Sequence, residues 1–177
     1  MTYDYLVIEN RAAFLARVTE IAAVLGVSPD WLMIVFKIES NINPAAINPY
    51  TGATGLIQFM PATAAGLGTS CAALAEMGNV RQLDYVLKYF KPYAGKITGV
   101  VDLYTITFFP RALGKPDEYI LKTDTVSAGT IAHQNAPYDI NKNGEISAGE
   151  LRQSIVKRIP GDVVYAMGAA ADYLKKN

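Results

Sequence analysis

The chain is poor in the side chains from which most metal and covalent sites are built: among 177 residues it has one cysteine, one histidine and one tryptophan. A lone Cys71 excludes an intrachain disulfide framework and a cysteine-rich zinc site, and a lone His133 argues against histidine-based metal centres. Cys71 reads as a small buried apolar residue. Neither sign of charge is in excess, with 16 Lys and Arg against 16 Asp and Glu and no local basic cluster. That balance removes the electrostatic footprint of a nucleic-acid binder. No apolar run reaches the roughly 20 residues that cross a bilayer, so no membrane insertion is expected. Met1–Glu9 lacks the basic and apolar regions of a secretory signal, so synthesis in the cytoplasm is expected. Low-complexity segments, long linkers and internal repeats are also missing, which leaves one monomeric domain over 1–177 as the expectation.

What is present is apolar and helical in pattern. Hydrophobic residues make up 51% of the chain and charged residues 18%, enough to bury a core. Phe14, Val18, Ile21, Ala22 and Leu25 recur at helical spacing, and Gly26 ends them. Ser28 and Pro29 supply a cap and a first-turn proline for a second helix, apolar on nearly every side through Ile38. Short helices are expected around Pro61–Ala65 and over Cys71–Met77. A longer one should be capped by Asn79, carry Leu83, Val86, Leu87 and Phe90, and end at Pro92. Val100–Phe109 is β-branched and aromatic, yet Thr98 can cap it and Pro110 ends it, so helix is expected there too. A turn-rich stretch follows from Gln134 to Gly144, then helices near Ala148–Arg158 and Asp162–Lys175. Trp31, Phe36, Phe59, Phe108 and Phe109 read as core. The fold class is all-α.

Glu39 ends the second, buried helix and precedes a polar, turn-rich stretch to Pro61. A carboxyl group against apolar walls loses solvation when it ionises, so its pKa rises and it can donate a proton near neutral pH. Taken alone, such a residue is more often a surface acid or a structural ion-pair partner. Downstream, Gly52 and Gly55 permit turns or close approach of backbone to a ligand, and Gln58 offers both a donor and an acceptor to sugar hydroxyl or acetamido groups.

The ordered series Glu39-Ser40, Asn43-Pro44-x-Ala46, Gly52-Ala53-x-Gly55-Leu56-x-Gln58 and Pro61-x-Thr63-Ala64 resembles the signature of the soluble lytic transglycosylases, in the goose-type lysozyme-like superfamily. The resemblance implies a lysozyme-like fold and cleavage of peptidoglycan glycan strands. Glu39 would act first as acid and then as base, with the muramic 6-hydroxyl closing on the anomeric carbon to give a 1,6-anhydro product. It places Ser40, Gln58 and Met60 along the groove beside Glu39, and Asn48 where the family often carries a serine. The segment Asn48–Gly52 is one residue longer than the family's common form. The family's later Ala-Tyr-Asn-Ala-Gly motif is absent as written; Tyr104 is the nearest match to its tyrosine, and Thr105 stands where its asparagine would be. A hydrolytic muramidase would need a second carboxylate, about 6.5–9.5 Å away in inverting enzymes, for which Asp102 is the best sequence candidate. A non-catalytic wall-binding or virion structural protein is the alternative from another class. The Phe109–Asp117 stretch also resembles small phage wall-degrading proteins, which implies release by a holin or carriage on the virion.

Asp139, Asn141, Asn143, Glu145, Ser147 and Glu150 fall at positions 1, 3, 5, 7, 9 and 12 of an EF-hand loop, with Gly144 at 6 and Ile146 at 8. Pro137 and Tyr138 stand where an entering helix would be, so this is a lone loop, suited to a weakly bound structural calcium with no part in bond cleavage. The bland alternative is an Asn/Gly-rich turn that caps the next helix. No cofactor is expected for catalysis.

Overall fold

The computed structural model describes residues 1–159, 161 and 163. Among them are eight α-helices, short 3₁₀ turns and only isolated β-bridges, so the all-α expectation holds. No single described helix is long and apolar enough to cross a membrane. The chain divides into two compact units, Met1–Val100 and the residues from Val101 on.

In the first unit, α1 (Arg11–Leu25) buries Phe14, Val18, Ile21, Ala22 and Leu25, the stripe read from the sequence. Gly26 closes it at φ 71°, its N–H donating to the carbonyls of Ala22 and Ala23. In α2 (Pro29–Ser40), Ser28 accepts from the Asp30 N–H and Pro29 occupies the first turn. Five successive residues, Leu32 to Phe36, are fully buried, which a helix permits only where neighbours cover it on every side. α1 supplies one cover, with Phe14 edge-on to Phe36 at 6.2 Å between ring centroids. α3 (Pro61–Gly66) and α4 (Cys71–Glu76) are single short helices, the latter capped by Ser70. α5 (Asn79–Phe90) packs on α1 through a face that includes Leu83, Val86 and Phe90.

Three expectations in this unit fail. Gly78, not Asn79, is the N-cap of α5. Asn79 is drawn into the first turn by tertiary bonds: its amide donates to the Glu9 carbonyl at 2.6 Å and its oxygen accepts from the Asn10 amide at 3.5 Å as well as from the adjacent Val80 N–H. Cys71 is only half-buried, its thiol donating to the Phe59 carbonyl at 3.4 Å. Trp31 is also half-buried, because its position on the first turn of α2 faces the helix entry.

In the second unit, α6 (Val100–Phe108) is helical despite its β-branched content and buries Leu103, Tyr104, Thr105 and Ile106. Phe108 and Phe109 are half-buried where core was expected. Phe108 instead stacks on Tyr138 at 4.4 Å between centroids. α7 (Ala128–Gln134), capped by Ser127, was not legible as a helix. α8 (Ala148–Arg158) buries Leu151, Ile155 and Val156, and both α7 and α8 pack on the 3₁₀ turn Ala136–Tyr138. Apart from Val163, the expected helix Asp162–Lys175 lies outside the described residues.

Candidate functional site

Glu39 stands in the last turn of α2 and is half-buried. Directly after Ser40 the chain turns left-handed at two consecutive residues, Asn41 (φ 57°) and Ile42 (φ 62°). Their N–H groups donate to the Lys37 and Phe36 carbonyls, both at 3.1 Å. A β-branched residue at positive φ is an outlier, at a cost on the order of 1–3 kcal/mol. Burial of the Ile42 side chain offsets that strain and fixes where α2 stops.

Ser40 does not present a free hydroxyl. Its Oγ lies 3.1 Å from both the Phe36 and the Leu56 carbonyls. It therefore fastens the end of α2 to the glycine loop, which leaves the Oγ lone pairs for the expected substrate contact. The loop itself is a tight antiparallel fold around Thr54, which bridges Ile47 on one side and Phe59 on the other. Gly55 (φ 85°) and Gln58 (φ 52°) make its turns.

Asn48 closes the longer Asn48–Gly52 segment: its Oδ1 accepts from the N–H groups of Tyr50 and Thr51, and its own carbonyl accepts from Gly52. Only its amide NH₂ remains to meet a ligand. Gln58 is the converse, since its Nε2 donates to the Ala46 and Gly55 carbonyls at 3.3 and 3.2 Å. Its Oε1 is left as acceptor, so the two-way role expected of it narrows to one. Met60, at the N-cap of α3, is 47% exposed and offers an apolar patch at the end of the loop.

Tyr89 on α5 belongs to this neighbourhood and was missed from the sequence. Its ring meets Phe59 edge-on at 6.2 Å. Burial first, then Tyr93 and the Glu39 carboxylate, push its phenol well above the ordinary value of 10.0. The native state thus holds this proton where the unfolded chain releases it. Stability from Tyr89 is fully present below pH 10 and falls above it, by at most about 1.4 kcal/mol per pH unit. Urea midpoints at pH 8 and pH 11 should therefore fall less in Tyr89→Phe than in the wild type; equal falls would show that Tyr89 holds no such proton.

In the second unit, Tyr104 is buried. It accepts from an Arg158 guanidinium N–H at 3.3 Å and shares a 3.4 Å hydrogen bond with the Tyr138 hydroxyl. Arg158 also covers the Tyr138 ring at 4.4 Å. Thr105, which the resemblance sets where an asparagine would stand, has a buried hydroxyl with no hydrogen-bond partner among the described residues.

The loop 139–150 folds with its oxygens turned inward. Asp139 accepts from the N–H groups of Asn143 and Gly144, Asn141 from Asn143, and Asn143 from Glu145. Glu150 is buried; one oxygen accepts from the Asn141 N–H and the other from Ser147. Ser147 and Glu150 also form the capping box of α8. Among the described residues no three His, Cys, Asp or Glu side chains gather as a metal site, so any cation here would need amide, hydroxyl and backbone oxygens beside the carboxylates of Asp139 and Glu150.

Residues 18–83 match the family model of the Transglycosylase SLT domain. That span runs from α1 through α5's Leu83, includes Glu39 and the whole glycine loop, and bears out the resemblance read from the sequence; it is consistent with a member of the lytic transglycosylase family. No curated protein and no solved structure matches the chain.

Proposed function

We propose that the chain cleaves the β-1,4 bond between N-acetylmuramic acid and N-acetylglucosamine in peptidoglycan, with Glu39 as the acid and base. The coarser statement, a peptidoglycan-degrading function of lytic transglycosylase type, follows from the SLT match. The finer one is carried by the position of Glu39, half-buried in the last turn of α2, where the following residue, Ser40, is bonded to the glycine loop. The protonated carboxyl gives its proton to the glycosidic oxygen as the C1–O bond breaks and an oxocarbenium-like centre develops. The carboxylate then takes the proton of the muramic 6-hydroxyl as O6 bonds to C1, so no water is consumed and Glu39 returns to its starting state. Gln58 Oε1 and the Asn48 amide line the path as an acceptor and a donor. Mass spectrometry of digested peptidoglycan should find 1,6-anhydromuropeptides; exclusively hydrated reducing ends would assign the chain to the hydrolytic muramidases instead.

We also propose that loop 139–150 takes a structural calcium ion. The donor chemistry fits: the oxygens of Asp139, Asn141 and Asn143 and Oε1 of Glu150 each accept one backbone N–H and keep a second lone pair for a cation, while Glu150 Oε2 is taken up by the N–H and O–H of Ser147, and the donors are all hard oxygens. Asp139, Asn141, Asn143, Ser147 and Glu150 would hold it by side chains and Glu145 by its carbonyl. With two carboxylates the affinity belongs at the weak end of the calcium range. Millimolar calcium should raise the melting midpoint and chelator should lower it; an identical midpoint in both would leave the loop as a helix cap alone.

A further inference from the structure

Gln82 is fully buried on α5 and makes three hydrogen bonds to three separate segments. Its Oε1 accepts from the Leu56 N–H at 2.6 Å. Its Nε2 donates to the Pro44 carbonyl at 2.9 Å and the Leu74 carbonyl at 3.0 Å. Pro44 lies on the strand of chain that leaves α2, Leu74 in α4, and Leu56 in the middle of the glycine loop. On its other side Leu56 is held by Ser40, whose hydroxyl donates to the Leu56 carbonyl. Leu56 is thus gripped at both polar ends, by α5 through Gln82 and by the residue after Glu39 through Ser40.

A buried amide with every bond satisfied rigidifies what it joins, and breaking it exposes several groups at once. We propose that Gln82 is a positioning residue: it sets how deeply the Gly55–Gln58 wall sits against the end of α2, and so the separation between the acid and the groups that hold the sugar. It touches no substrate. The inference rests on the reading of Glu39 as the acid. Its mechanical part, the grip on Leu56, does not.

Gln82→Met keeps the volume and removes all three bonds. Hydrogen exchange should speed up at residues 55–58 while the amides of α1 keep their wild-type protection. At a temperature where the variant is folded, kcat on peptidoglycan should fall by about 10- to 100-fold, the scale of a misplacement near 1 Å, with half-saturation little changed. Gln82→Glu, protonated at acidic pH, still accepts from the Leu56 N–H and gives one O–H to the Pro44 or Leu74 carbonyl, so relative to the wild type it should keep most of the rate there and lose it as a carboxylate forms opposite those carbonyls. That pH comparison of rate and of exchange at 55–58 carries the test if the Met variant does not fold, and equal ratios at both pH values would overturn the proposal. Unchanged exchange at 55–58 in Gln82→Met, or a lower melting point with wild-type kcat in the folded variant, would overturn the proposal. Faster exchange at 55–58 in a protein whose wild type cleaves no glycan would leave the grip standing and refute the reading of Glu39.

Discussion

Glu39→Gln should reduce anhydromuropeptide release by about 10² to 10⁴-fold, the usual contribution of a positioned acid or base, and should leave the melting point close to that of the wild type. The amide has the size and shape of the carboxyl group but can neither give up a proton to the leaving oxygen nor take one from the 6-hydroxyl. The side chain is half-buried at the end of a helix whose stability comes from Leu32 to Phe36, so its exchange does not disturb the core. Binding to insoluble peptidoglycan should persist, because Gln58, Asn48 and Met60, the proposed sugar contacts, are untouched. A Glu39→Gln protein that digests cell walls at the wild-type rate would mean that the acid is another residue. A wild type that binds walls without releasing muropeptides would mean that the protein serves adhesion.

Gly55→Ala should unfold more readily than the wild type by roughly 2–5 kcal/mol, from the left-handed backbone penalty together with displaced buried hydrogen bonds. The backbone there sits at φ 85°, which alone disfavours a side chain. The new methyl would also lie 2.8 Å from Cδ and 2.9 Å from Nε2 of Gln82, and closer still to its Oε1. A long side chain on the surface would swing aside. Gln82 has nowhere to swing, being buried and bonded to Leu56, Pro44 and Leu74. Urea denaturation of Gly55→Ala, Gln82→Ala and the double variant separates the two causes. If crowding of Gln82 dominates, the double variant is less destabilised than the sum of the singles; strict additivity would assign the cost to the backbone angle.

The contrast between Gly55 and Gln82 shows what a linear reading can reach. Gly55 was legible as a residue that permits a turn or a close approach, since only a few physical reasons place glycine at a fixed spacing in a polar loop. What approaches it was not legible. A glutamine on an amphipathic helix ordinarily faces water, and the only sign that Gln82 does not is the set of carbonyls and N–H groups waiting for it in three distant segments. Tyr89 was hidden in the same way, because an aromatic next to Phe90 reads as ordinary packing until its ring is found beside Phe59.

α1 and α2 were legible because their signals are local: a helical stripe ended by Gly26, and Ser28-Pro29 opening an apolar run. α7 was not, since its seven residues include Gly129 and carry too few apolar positions to show a period. Glu39 and Gln58 were singled out by their residue types and surroundings and, with Met60, by a resemblance, whereas the backbone bonds of Ser40 and Asn48 became visible only in the fold. Both turned out to hold backbone in place, which is what Ser and Asn next to tight turns most often do.

The two ends of α2 carry a consequence for how this sequence can vary. Ser28 and Pro29 fix where the helix begins, and the left-handed pair Asn41-Ile42 fixes where it ends, so the twelve residues between act as a measured angle. Each added or deleted residue would turn Glu39 by about 100° around the helix axis and shift it about 1.5 Å along it. Substitutions that keep side-chain volume can accumulate along α2 without moving the carboxyl group. An insertion of a single alanine, harmless to helix propensity, would point the acid away from the wall that Ser40 now ties to it.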